Sequence, residues 1–151
     1  MKIAICASLD FTNEIKDCKE KLESIGCQVI IPKTSELIIK GAVTLDQIIK
    51  EKESGEIAQR AIQQDTFKYY FDVIKSVDAI LVLNLDKKGI QNYIGGNTFL
   101  EMGFAHILDK QIYLLNDIPE MMYAAEITAM QPVVIQGDLA KIKAAINTCQ
   151  K

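Results

Sequence analysis

Glu101 is the side chain whose neighbours best suit it to act on a bound ligand. It follows the run Gly95-Gly96-Asn97-Thr98 and precedes an apolar pattern at Phe99, Met102, Ala105, Ile107 and Leu108. That spacing predicts a loop opening into a helix, capped by Asn97 or Thr98, with the glycines letting a ligand come close to the backbone. Free amides and the positive end of the helix dipole favour a phosphate or another anion at such a start. A carboxylate about one turn further on is not explained by anion binding. It suits a nucleophile or general base working beside a phosphate or sugar. Paired glycines also make plain turns, and a first-turn glutamate also complements a helix dipole, so the combination is the informative feature.

The elements that must carry this loop are read from periodicity. Lys2 to Ala7 is a buried strand, ending in Ala7-Ser8-Leu9-Asp10. A helix from Thr12 to Ile25, stopped by Gly26, leads to a second strand from Cys27 to Ile31. This strand-helix-strand unit implies a parallel sheet with a right-handed crossover. Val77 to Asn84, Gln111 to Asn116 and Pro132 to Ile135 supply three more strands. A short helix holds Met121, Met122 and Tyr123 within 119–130, and a final helix runs from Gly137-Asp138 to about Thr148. Five strands alternating with helices predict a three-layer, flavodoxin-like or Rossmann-like α/β domain spanning residues 1–151, with order 2-1-3-4-5. Its switch point lies between the first and third strands. Ser8 and the Gly95–Glu101 segment then converge there, with Asp10, Asn84 and Asn116 as further candidate ligand contacts.

Residues 33–76 do not fit one crossover helix and read as a helical insertion. The pattern gives a short helix at Leu45–Lys52, a break at Ser54-Gly55 and a longer helix from Glu56 to Ser76. The loop before them is a candidate lid over the site, since long loops in compact domains are often functional.

Composition narrows the partners. With 17 basic and 20 acidic residues the net charge is −3, which does not serve nucleic acid or an anionic membrane without a basic patch. No apolar run approaches the ~20 residues of a membrane span, and the strand-like start Met1-Lys2-Ile3-Ala4-Ile5 does not read as a signal peptide, so the expected location is cytoplasmic. Cys6, Cys18, Cys27 and Cys149 form no Cys-x-x-Cys pair and have one histidine, His106, to join them. No metal site or organic cofactor is implied. His106 lies five residues after Glu101, at a different angle on the helix, and reads as structural or surface.

The segment Gly96-Asn97-Thr98-Phe99-Leu100-Glu101-Met102-Gly103-Phe104-Ala105 resembles the signature of the nucleoside 2-deoxyribosyltransferases and the related 2'-deoxynucleoside 5'-phosphate N-hydrolases. A weaker likeness is to the nucleotide phosphoribohydrolases that activate cytokinins. The resemblance implies that Glu101 attacks the anomeric carbon of a nucleoside or nucleotide and that the protein forms a homodimer or larger homo-oligomer, with sites completed across a subunit boundary. It also implies a carboxylate eight residues before Asp78 to protonate the leaving base, but that position is Tyr70. Asp72 and Asp65, with Tyr69 or Tyr70, are the remaining candidates for that acid role. The transferases carry an aspartate six residues before the nucleophile, where this chain has Gly95. The nucleotide hydrolases have a small phosphate-binding residue there, so Ser8, Gly95, Gly96, Asn97 and Thr98 are expected to hold sugar and phosphate. A non-catalytic nucleotide-sensing module is the competing expectation, supported by the missing carboxylate at position 70.

Overall fold

Alternation along the first strand decides which residues meet which helices. In β1 (Lys2–Cys6), Ile3 and Ile5 point to one face of the sheet, and Ala4 and Cys6 to the other. The first face packs on Ile15, Cys18 and Leu22 of α1 (Thr12–Ser24), which ends where Gly26 takes φ +93°. The second face packs on Met102 and Ala105 and on Ile74. The computed structural model describes residues 1–142 and Ala144, so most of the expected last helix, and Cys149, lie outside the described residues.

Among the described residues the sheet has five strands, all parallel, in the order β2-β1-β3-β4-β5. The others are β2 (Gln28–Ile30), β3 (Ala79–Val82), β4 (Gln111–Leu114) and β5 (Val133–Val134), each shorter than its apolar run. Register pairs Cys6 with Val82 and Val82 with Leu114, so β1, β3 and β4 end level with one another. The loops that follow them open on one edge, and the order reverses between β1 and β3 there. The expected topology is observed.

The 33–76 segment differs from its reading. A helix, α2 (Lys33–Ile39), stands where a loop was expected, entered through Pro32. It is fastened to its neighbours, because the Thr12 and Ser35 hydroxyls share a hydrogen bond of 3.1 Å in the interior and the Lys33 amide donates to the Tyr70 oxygen at 3.0 Å. The helix α3 (Leu45–Ser54) begins with a reciprocal Thr44–Gln47 capping box and stops at Gly55, φ +82°. The expected single helix from Glu56 to Ser76 is two, α4 (Glu56–Gln63) and α5 (Thr66–Lys75), because Asp65 between them adopts a left-handed φ of +44°.

The helix α6 (Gly96–Ile107) connects β3 to β4. Thr98, Met102 and Ala105 are its buried positions, spaced four and three apart against the sheet. Leu100 and Ile107 point out, and Ile107 is 77% exposed despite its place in the apolar pattern. The short helix α7 (Ala124–Ala129) starts after the Met121–Tyr123 cluster, not within it.

Just beyond β3 and β4, Asn84 and Asn116 fasten the two strand ends. The Asn84 side-chain amide donates to the carbonyls of Asn116 and Asp117 at 3.0 and 2.9 Å, and its oxygen accepts from the Asn116 amide at 2.9 Å. Asn116 returns a bond to the Asn84 carbonyl at 3.0 Å. Asn84 is fully buried, so truncating it strands these partners without water. Asn84→Ala is expected to lower stability by about 2–4 kcal/mol in urea denaturation; a loss under about 1 kcal/mol would show that the clasp is not structural.

Candidate functional site

Two facts place Glu101. It sits one position before the buried Met102, on the flank of α6 that turns toward α5, and Cys6 ends β1 on the same face of the sheet as Met102. Glu101 therefore stands where β1 ends. The Cys6 thiol and Tyr70 of α5 both lie within electrostatic reach of its carboxyl. The residue keeps part of its surface open, while the carboxyl itself is deep enough for burial to dominate its ionisation. Burial pushes the Glu101 pKa up to about 7, against the smaller lowering effect of the thiol. Burial and the nearby Glu101 raise the Cys6 thiol well above its ordinary range. The same two causes keep the Tyr70 phenol protonated far above neutrality.

The glycine segment is held from outside the helix. Gly95 is extended (φ −78°, ψ 165°) and precedes α6 as its cap, with Phe99 donating back to the Gly95 carbonyl at 2.9 Å. Asn97 and Thr98, expected as caps, are instead inside the first turn, and no side chain caps this end. The amides of Gly96, Asn97 and Thr98 are left without partners in the helix. Neither Gly95 nor Gly96 has positive φ, and a methyl group on Gly96 would meet nothing within 4 Å. The fold does not itself require glycine at 96; open space over exposed amides does suit a ligand. Tyr123 braces the segment, its hydroxyl donating to the Ile94 carbonyl while its ring stacks on Phe99 at 4.6 Å between centroids.

Ser8 and Asp10 reach the same edge and meet a residue the sequence reading did not single out. Lys87, in the loop after β3, donates to the Ser8 hydroxyl at 2.7 Å and pairs with Asp10 at 2.5 Å. Lys52 of α3 approaches the other Asp10 oxygen at 3.4 Å. The two lysines outweigh partial burial and hold the Asp10 carboxyl below its ordinary range. Only position marked Lys87 out in the sequence, inside a polar loop between a strand end and the glycines.

The remaining candidates separate. Thr98 is buried against the sheet, and Asn97 and Gly96 are exposed at the helix start. Asn84 and Asn116 bond to one another rather than facing outward. Asp72 is exposed on α5, two residues and about 200° around the helix from Tyr70, and Asp65 is exposed in the α4–α5 break. Neither accompanies Tyr70 toward Glu101. Tyr69 is 41% exposed and packs edge-on against Tyr70. His106 is exposed. Among the described residues no three His, Cys, Asp or Glu side chains gather as a metal site would need. Clefts of about 440 and 480 Å³ open elsewhere, between α3 and α4 and beside β2, and neither is lined by Glu101.

Comparison with solved structures finds chains of similar form, two of which are an N-glycosidase and a 2-deoxyribosyltransferase. A 2-deoxyribosyltransferase from Bacillus psychrosaccharolyticus is 20% identical, over 76% of this chain and 71% of that one, with a TM-score of 0.47. The CMP N-glycosidase BcmB of Clostridium botulinum is 18% identical, over 76% and 70%, with a TM-score of 0.42. No family model and no curated protein matches the sequence.

A buried glutamate with a raised pKa leaves a mark on stability. Between the ordinary carboxyl value of 4.5 and about 7 the folded protein holds a proton that the unfolded chain has released. This contribution is complete at low pH and is lost as pH rises through 7. Glu101→Gln is therefore expected to match the parent protein below pH 4.5 and to exceed it at pH 8, by up to about 3 kcal/mol. Denaturant midpoints across this range test it, and a constant difference at all pH values would contradict the buried carboxyl.

Proposed function

We propose that this protein cleaves the N-glycosidic bond of a nucleoside or nucleoside 5'-monophosphate, with Glu101 as the nucleophile. The observation that carries the reading is a partly covered glutamate at the β1/β3 switch point, on the helix whose open amides begin at Gly96. In the first step a Glu101 carboxylate oxygen bonds to C1' as the C1'–N bond breaks, and the base leaves with that electron pair and takes up a proton from solvent. The resulting glycosyl ester is opened by water, or by a second base in transfer. The Cys6 thiol stabilises the ionised carboxylate. The Tyr70 hydroxyl, with its oxygen fixed by the Lys33 amide, is a positioning group rather than a strong acid, because its pKa lies far above neutrality.

Only the ionised Glu101 attacks, so kcat/KM for base release is expected to fall about tenfold per pH unit below an apparent pKa near 7. Glu101→Ala is expected to lower base release by several orders of magnitude while the protein stays folded. Near-normal turnover in that variant would refute the mechanism.

A second reading, a nucleotide-binding module without chemistry, is favoured by the exposure of both Asp72 and Asp65, which leaves the leaving base without a carboxylic acid. Incubation with a panel of deoxynucleosides and their monophosphates separates the two, since only the enzyme liberates free base.

The assembly proposed with this function is a homodimer or larger symmetric oligomer. Leu100 and Ile107 form an outward apolar pair on α6, with Phe67 of α5 48% exposed and Met122 96% exposed. Two-fold association is the commonest way to cover such surface. Light scattering at micromolar concentration is expected to give a mass of at least two chains; a mass near 16.9 kDa would remove this part of the proposal.

A further inference from the structure

The geometry points to Lys87 as the group that distinguishes a 5'-phosphate from a free 5'-hydroxyl, with Asp10 as the carboxylate that holds it until the phosphate arrives. The inference rests on the proposed function for the sugar and base, but its phosphate component stands on the Lys87 cluster itself. The Lys87 side chain is only 17% exposed, although it lies in a loop of polar residues. A largely covered ammonium needs compensation, and here it has the Asp10 carboxylate at 2.5 Å and the Ser8 hydroxyl at 2.7 Å. Asp10 is shared, because Lys52 also approaches it at 3.4 Å. Two ammonium groups on one carboxylate leave this three-residue cluster with one positive charge. A phosphate dianion brings more charge and more acceptor oxygens than Asp10, and so competes for the same donors.

The loop is built to keep the base of this side chain still. Lys87 and Ile90 exchange backbone bonds of 3.0 and 2.9 Å, Asp86 accepts the Asn92 amide at 2.9 Å, and the Tyr93 amide donates to Leu85 at 3.0 Å. Movement is therefore left to the flexible lysine stem. A direction for that movement is present: the ammonium lies 5.7 Å from the centre of the Tyr93 ring, and the same ring borders Gly95, where an added methyl would stand 3.4 Å from it. Turning from Asp10 along the Tyr93 face carries the charge toward the open amides of Gly96 and Asn97.

The test uses the full chain carrying Glu101→Gln, so that binding is read without turnover. Titration calorimetry with a 2'-deoxynucleoside 5'-monophosphate and the matching nucleoside would be run on this parent and on versions adding Lys87→Met, Lys87→Arg or Asp10→Asn. Lys87→Met is expected to weaken the monophosphate by at least about tenfold and to leave the nucleoside within about twofold, with Lys87→Arg restoring most of the loss. Asp10→Asn is expected to tighten the monophosphate, and inorganic phosphate is expected to compete with it. Equal losses for both ligands in Lys87→Met, or a loss in Asp10→Asn matching that in Lys87→Met, would overturn the inference and make the three residues a structural strut. Absence of monophosphate binding in the parent would overturn it too. Base release by the protein with Glu101 intact tells the two readings apart. Lys87-dependent phosphate binding without base release removes the N-glycosidase reading alone. Base release from nucleoside and monophosphate that is insensitive to Lys87 removes the phosphate inference alone.

Discussion

The level ending of β1, β3 and β4 is the constraint on which the site depends. Parallel pairing of Cys6 with Val82 and of Val82 with Leu114 forces the three following loops onto one edge. The alternation of side chains then sends Cys6 toward α6 and leaves Ile5 to the α1 side. A slip of one residue in β1 would exchange those faces and take the thiol away from Glu101. Site geometry and sheet register are one problem here.

Glu101 itself works against the fold. A carboxyl whose charged form is disfavoured by burial contributes less to stability at neutral pH than a glutamine would, and its two polar neighbours, Cys6 and Tyr70, do not remove that cost. Such a residue has a natural explanation in reactivity, since desolvation raises the basicity and nucleophilicity of a carboxylate. The supports around it are conventional by comparison: the Asn84–Asn116 clasp fixes the strand ends, and Tyr123 fixes the approach to the glycines through Ile94 and Phe99.

Periodicity was enough for the strand order, because five apolar runs separated by helical patterns admit few parallel arrangements. It was also enough to bring Ser8 and the glycine segment to one edge. What it missed was local. α2 spans only Lys33–Ile39, too short for its period to stand out. Asp65 breaks the long helix by adopting a left-handed conformation that few residues other than glycine and asparagine take readily, and on the helix that follows Tyr70 is partly covered while Asp72 is exposed. The start of α6 at Gly96 was obscured because extended Gly95 replaces a side-chain cap. Lys87 carries no motif, and only the folding of its loop toward Asp10 and Ser8 gives it meaning.

The central claim is a covalent bond between Glu101 and the sugar. Its most direct test is intact-mass spectrometry of the protein after incubation with a 2'-fluoro-2'-deoxynucleoside 5'-monophosphate, whose fluorine slows breakdown of a glycosyl ester. The account predicts a mass increase equal to the glycosyl fragment, mapping by peptide analysis to Glu101 and absent in Glu101→Gln. Release of base with no adduct, or an adduct on another residue that persists in Glu101→Gln, would contradict it.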